Sequence, residues 1–94
     1  MEAATVHVDH DPTQQHFVVD ADGHRAELVY RRGSAGMTIT HTLVPEAIAG
    51  RGIAGALVEA ALGFARASGL KVVPACSYAQ AYMRRHPQFQ DLLA

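Results

Sequence analysis

The sequence holds a single cysteine, Cys76, so no internal disulfide can form. A small chain without such staples is expected in a reducing compartment, and cytoplasmic residence is the reading that follows. It has no excess of either charge. The formal net charge of −1 removes the electrostatic reason to expect nucleic acid or an anionic membrane as the main partner. No apolar run reaches the length of a membrane span, and the opening residues, MEAATVHVDHD, carry acids and histidines where a signal peptide needs a basic start and an apolar stretch. Neither export nor membrane insertion is expected. No repeat or low-complexity tract is visible, and 94 residues leave room for a single domain, 1–94. His7, His10, His16, His24 and His86 lack metal-ligand spacing and have no second cysteine to join them, so no metal site is expected.

What the chain does have is two halves with different periods. Its apolar fraction of 49% suits a packed core. In the first half apolar and polar residues alternate. Thr5–His10 reads as a short edge strand followed by the turn Asp11-Pro12-Thr13-Gln14, with proline at its second position. His16–Ala21 and His24–Arg31 flank Asp22-Gly23, a pair that marks a two-residue hairpin in which both central residues take positive φ. A further strand, rich in threonine, is predicted over Met37–Val44. Strict alternation places His41 on one face with Met37, Ile39 and Leu43.

The second half is helical in period. Within Gly52–Ala67, Ile53, Leu57, Ala60, Ala61 and Phe64 recur at steps of three and four, which predicts an amphipathic helix. Ser68-Gly69 ends it, with glycine as the left-handed cap. LKVVP at 70–74 is a short buried strand, and the helix between it and Met37–Val44 makes the two strands parallel. A second helix is predicted over 75–86, stopped before Pro87. PQFQDLLA at 87–94 is expected to pack back as a turn and irregular end.

Residues 50–55, GRGIAG, spell G-x-G-x-x-G, but the setting for a nicotinamide cofactor is missing. That fold needs the glycines directly after a strand and an acid about 20 residues further on. Here Pro45–Ala49 intervenes, and VVPACS further on holds neither Asp nor Glu. No Lys-Ser or Lys-Thr follows, which excludes a Walker-type phosphate loop. There remains a glycine turn opening a helix, whose first N–H groups lack intrahelical acceptors and whose dipole favours an anion by roughly 0.3–2 kcal/mol. Gly50 and Gly52 permit close backbone approach, and Arg51 offers a charge from the side. An ordinary strand-to-helix loop is the alternative.

The order of these parts, together with GRGIAGALVEAAL, resembles the GNAT acyltransferase superfamily and its acetyl-CoA motif. THTLVPE, GIAGALVEAAL and GLKVVPACSYAQAYMRRHPQFQDLL are similar, more closely, to the minimal GNAT-like N-acetyltransferases, over the stretch from about His24 onward. The resemblance implies an α+β fold with a mixed, mostly antiparallel sheet, two main helices and an acyl-CoA site at the glycine loop. It implies acetyl-CoA or coenzyme A as co-substrate, with Leu43, Val44, Ala49, Gly50, Arg51, Gly52, Ile53, Ala54 and Arg85 as the residues that hold it. The acceptor is an unidentified amine, of a protein lysine or a small molecule, and the protein is a monomer or homodimer. The superfamily loop usually opens with Gln or Arg where this chain has Ala49, which removes one phosphate-binding side chain and leaves the backbone donors. A non-catalytic coenzyme A-binding module, or a protein-interaction module on the same fold, is the alternative. Arg85, with Arg84, also fits the solvated end of a helix.

Acetyl transfer to an amine requires a neutral amine, a polarised thioester carbonyl and a proton for the departing thiolate. Tyr82 follows Tyr78 by four residues and shares its helix face; the resemblance gives a tyrosine of this helix the acid role, whereas Tyr78 equally fits a core aromatic stripe. Cys76 stands at the start of that helix, where the positive end favours a thiolate. It either accepts the acetyl group or lines the pocket, and a buried apolar role is the alternative. His41 is either a satisfied core histidine or a base near the carbonyl. Direct transfer without an acetyl-cysteine is the expected route.

Overall fold

A computed structural model of the chain describes residues 6–34 and 36–94. Five strands lie side by side in chain order: β1 (Asp9–Asp11), β2 (His16–Ala21), β3 (His24–Arg32), β4 (Gly36–Leu43) and β5 (Lys71–Pro74). Two helices, α1 (Ile53–Ala67) and α2 (Ser77–Arg85), and short 3₁₀ turns at Glu46–Ile48 and Pro87–Leu92 complete the described chain. β1 to β4 are antiparallel, and β5 runs parallel to β4 across the α1 crossover. The α+β class and the mixed, mostly antiparallel sheet are those the sequence predicts. Among the described residues no helix is long and apolar enough to cross a membrane.

Local chemistry sets the registers. Asp22 and Gly23 take φ of 50° and 77°, the paired left-handed geometry that matches the twist of two strands, and Ala21 then faces His24. The first strand differs from the Thr5–His10 reading. It spans Asp9–Asp11, while Val6 and Val8 pack on the core without joining the ladder and Thr5 lies outside the described residues. The turn fixes this shift. The Asp11 carboxylate accepts N–H bonds from Thr13 (3.0 Å) and Gln14 (3.1 Å), and Gln15 is left-handed at φ 57°, so Asp11 comes to face His16.

Both helices cover one face of the sheet. Phe17, Val19, Ala26, Leu28, Tyr30, Met37 and Ile39 pack with Leu57, Val58, Ala61 and Leu62 of α1 and with Ala79 and Met83 of α2 in a single core. Each large apolar side chain taken from water there is worth about 1.5–3 kcal/mol before ordering costs. Gly69 ends α1 at φ 70°, with N–H bonds from Leu70 to the Ala65 carbonyl (2.8 Å) and from Gly69 to the Arg66 carbonyl (3.3 Å). Residues 87–94 form a 3₁₀ turn and an edge bridge. Arg66 bonds the Asp91 carboxylate at 2.9 and 3.1 Å, Lys71 Nζ donates to the Asp91 carbonyl (2.7 Å), and Leu93 bridges Val72 in parallel.

β4 breaks the alternation read from its sequence. Tyr30 faces Ile39 while Val29 faces His41, so Thr40 is an extra residue, a β-bulge. Its hydroxyl donates to the Val29 carbonyl at 3.1 Å. Met37 and Ile39 lie in the core before the bulge; after it, Thr42 faces Leu28 on the helix side. His41 and Leu43 therefore turn to the uncovered face, which corrects the expectation that they share a side with Met37 and Ile39.

Candidate functional site

The strands β4 and β5 part just beyond the bulge. Their pairing ends with Ile39 opposite Pro74, which has no N–H to continue the ladder. The next two amides, of Ala75 (3.0 Å) and Cys76 (3.2 Å), both turn onto the Ile39 carbonyl. Those bonds also delay α2, which starts at Ser77 rather than at residue 75. From Thr40 to Leu43 the side of β4 that faced β5 has no strand partner among the described residues.

The glycine loop stands at the mouth of this opening. Val44, Ala49, Gly50, Gly52, Ile53, Ala54, Gly55 and Tyr78 line a cleft of about 260 Å³. Gly50 and Gly52 have φ of 79° and 78°, a conformation that L side chains rarely adopt, although a Cβ at either position would meet nothing within 4 Å. Conformation, then, and not crowding, calls for glycine here. Gly52 caps α1 without a side-chain partner, and the first helical bond runs from the Ala56 N–H to the Gly52 carbonyl at 3.1 Å. The N–H groups of Ile53, Ala54 and Gly55 consequently lack intrahelical acceptors.

The other expected coenzyme residues are dispersed. Leu43 is exposed at the end of β4, next to the cleft residue Val44. Arg51 is turned toward the β2–β3 hairpin, its Nη2 2.7 Å from the Asp22 carboxylate. Arg85 is exposed in the last turn of α2, roughly 10 Å along the helix from Tyr78.

Among the expected catalytic residues, Cys76 and Tyr82 stand on the helix side and His41 on the opposite face. Cys76 caps α2: its Sγ accepts the Ala79 N–H at 3.3 Å and lies 3.7 Å from Thr42 Oγ1. Tyr78 and Tyr82 present rings 6.4 Å apart to α1, and a Cβ on Gly55 would lie 3.5 Å from the Tyr78 hydroxyl and 3.6 Å from the Tyr82 ring. Tyr78 lines the cleft; Tyr82 is half-buried and stacked on His86 at 3.9 Å. Burial foremost, then the charge of Glu59 and the neighbouring Tyr78, raises the Tyr82 phenol above its ordinary value and keeps it protonated. His41 lies across from Val29, with Nε2 3.9 Å from Glu27 Oε2. Thr42 escaped the sequence reading, because only the bulge brings it to Cys76, 34 residues away in the chain. Tyr78 was legible only as half of an aromatic pair.

Residues 16–92 match the family described as GCN5-related N-acetyl-transferase. The chain belongs to that family. Protein NATD1 of Xenopus tropicalis is 37% identical to it over 93 residues, covering 96% of this chain and 85% of the relative. Protein NATD1 of Homo sapiens is 39% identical over 90 residues, covering 93% and 80%. A protein of Staphylococcus aureus described as GCN5-like, solved by NMR in solution, has a TM-score of 0.75 at 25% identity, with 95% of this chain and 88% of that chain covered. The GCN5-related match takes in β2 to β5, both helices and the glycine loop, so the parted strands and the cleft fall inside it.

Proposed function

We propose that the chain is an acetyl-CoA-dependent N-acetyltransferase acting on a primary amine. The observation that carries this reading is a cleft lined by the glycine loop, the open N–H donors at the start of α1 and Val44, the residue that directly follows the unpaired stretch of β4. The donors suit the coenzyme's pyrophosphate, since left-handed glycines admit close approach and the helix dipole favours the anion. The free strand edge suits the pantetheine arm, whose amides can pair with it as another strand would. Leu43 and Val44 flank that arm and Ala49 to Ala54 surround the phosphates, with Arg51 and Arg85 as outlying cations.

In the reaction the acceptor ammonium gives one proton to His41. The free amine attacks the thioester carbonyl carbon, a C–N bond forms, and collapse of the tetrahedral adduct breaks the C–S bond. The thiolate takes a proton from a phenol of α2. Placement in the cleft favours Tyr78 for this step, with Tyr82, the acid expected from the sequence, one turn behind it. The surplus proton on nitrogen restores the phenol through solvent, and His41 releases its own. Products are an amide, the coenzyme thiol and one proton. Cys76 needs no part as nucleophile, since the amine attacks the thioester directly; its sulfur caps α2.

Acetyl-CoA at about ten times its Kd should raise Tm by roughly 5–10 °C in a domain of this size, with no effect of NAD. Stabilisation by NAD and not by coenzyme A overturns the reading. Coenzyme A stabilisation without thiol release in the presence of primary amines would instead favour a binding module, which the missing side chain at Ala49 suits. After mixing with acetyl-CoA alone, intact mass should show no adduct. A stoichiometric acetyl group on Cys76, formed and discharged at the turnover rate, would overturn direct transfer.

A further inference from the structure

The sheet face away from the helices carries a group of side chains that the coenzyme cleft does not use. Strand registers set Val18 and Leu43 on either side of Glu27, and His16 and His41 on either side of Val29. Glu27 is thus diagonal to both histidines, a separation that a long side chain spans in a sheet. Its Oε1 lies 4.0 Å from His16 Nδ1 and its Oε2 3.9 Å from His41 Nε2, and its side chain is 33% exposed. Each gap is about an ångström longer than a hydrogen bond. Thr40 is what brings His41 here, because an unbroken ladder would set it opposite Leu28 and turn the ring into the core.

A carboxylate held between two imidazoles, closed on neither, has room for a cationic third partner. An ammonium group brings three donors and no acceptor. With 3.9 Å between Glu27 Oε2 and His41 Nε2, one nitrogen can hydrogen-bond both. The surroundings favour positive charge. Asp9, Asp11, Asp20 and Glu27 share this face with Arg25, Arg31 and Lys71; Arg25 and Asp20 are paired with each other at 2.8 and 3.0 Å, and Lys71 Nζ donates to the Asp91 carbonyl at 2.7 Å. The coenzyme cleft opens on the helix side, lined by Val44, the glycine loop and Tyr78, whereas Glu27 and His41 lie on the other. The unpaired edge of β4 lies between them: Leu43, opposite Glu27, is followed directly by the cleft residue Val44.

We infer that Glu27 binds the ammonium of the acceptor, an inference that rests on the N-acetyltransferase reading above. The Glu27 carboxylate holds R–NH₃⁺ against His41 Nε2, which removes one proton so that the amine reaches the thioester uncharged. His16 Nδ1 faces the other carboxylate oxygen at 4.0 Å. The acceptor class is a primary alkylammonium without a neighbouring anion, the end of a lysine side chain or of a diamine.

The test uses the full chain with coenzyme A bound, titrated with cadaverine and separately with Nα-acetyl-lysine amide, while imidazole ¹⁵N and backbone amide shifts are followed. One or both amines should move the His16 and His41 imidazole signals, and the stronger of the two names the source. Glu27→Gln should weaken that binding at least tenfold and Glu27→Asp less. The coenzyme-induced shifts at Gly50 to Ala54 should be the same in every variant. In acetyl transfer, Glu27→Gln should raise the KM for the amine about tenfold and leave the KM for acetyl-CoA unchanged. Amine-induced shifts that avoid His16 and His41, or binding that survives Glu27→Gln in a folded protein, overturn the inference. Absence of coenzyme-induced shifts at Gly50 to Ala54 would count against the coenzyme reading instead, so the two failures are distinguishable.

Discussion

The two halves of β4 differ by one inserted residue and one proline on the neighbouring strand. Gly36–Ile39 pairs with β3 and with β5, and its Met37 and Ile39 are almost wholly buried. Thr40–Leu43 keeps β3 and loses β5, and its His41 and Leu43 face solvent. A half paired on both sides and a half paired on one side thus occupy one strand. Backbone groups become available to a ligand where the ladder is interrupted, and the uninterrupted half holds them in position.

The largest effect that separates the halves is expected at Ile39. Ile39→Ala should cost about 2–5 kcal/mol of stability, measured by urea unfolding, while Leu43→Ala should stay within about 0.5 kcal/mol. Equal losses would mean that the exposed half is not exposed in solution. If the proposed acid is on α2, Tyr78→Phe should lower turnover about 10²-fold with little change in coenzyme A affinity, and Tyr82→Phe should lower it less. The reverse order would return the acid role to Tyr82. At Gly52 a Cβ meets nothing within 4 Å, but Gly52→Val forces a β-branched residue to φ 78°, so it should cost roughly 1–3 kcal/mol and weaken coenzyme A more than tenfold. Unchanged affinity in the folded variant would place the coenzyme elsewhere.

The smallest effect concerns the covered face. His10 stacks on Phe17 at 4.0 Å with Nε2 2.7 Å from the Tyr30 hydroxyl, and burial, outweighing the opposing charge of Asp11, lowers its pKa below 6.5. The folded state therefore prefers the neutral ring. As pH falls below about 6.5 the unfolded chain takes up the proton first, so stability should decline from there to the folded pKa and then level off. His10→Gln should flatten that part of the stability profile. An unaltered slope would assign it to another histidine.

Much of the fold was legible because its determinants are local. Asp22-Gly23 specifies its hairpin, the apolar spacing of Ile53 to Phe64 specifies α1, and Gly69 specifies where α1 ends. The site was legible only in part. TITHT reads as unbroken alternation, and nothing in those letters marks Thr40 as the residue left over when β3 and β4 pair. That one long-range fact moves His41 to Glu27 and Thr42 to Cys76. Arg51 likewise meets Asp22 through packing between distant segments, which spacing along the chain does not encode.

The bridge between Leu93 and Val72 bears on how the molecule behaves at high concentration. A sheet with a deliberately unpaired strand segment risks recruiting strands from other copies at every exposed border. Here one outer border is a three-residue strand bearing Asp9 and Asp11, too short and too charged to template a neighbour. The opposite border is occupied in part by Leu93 and Ala94, whose N–H bonds the Val72 carbonyl at 3.0 Å, with Asp91 anchored to Arg66 and Lys71. Loosening that anchor, without touching the core or the cleft, should show itself as self-association before it shows itself as lost activity.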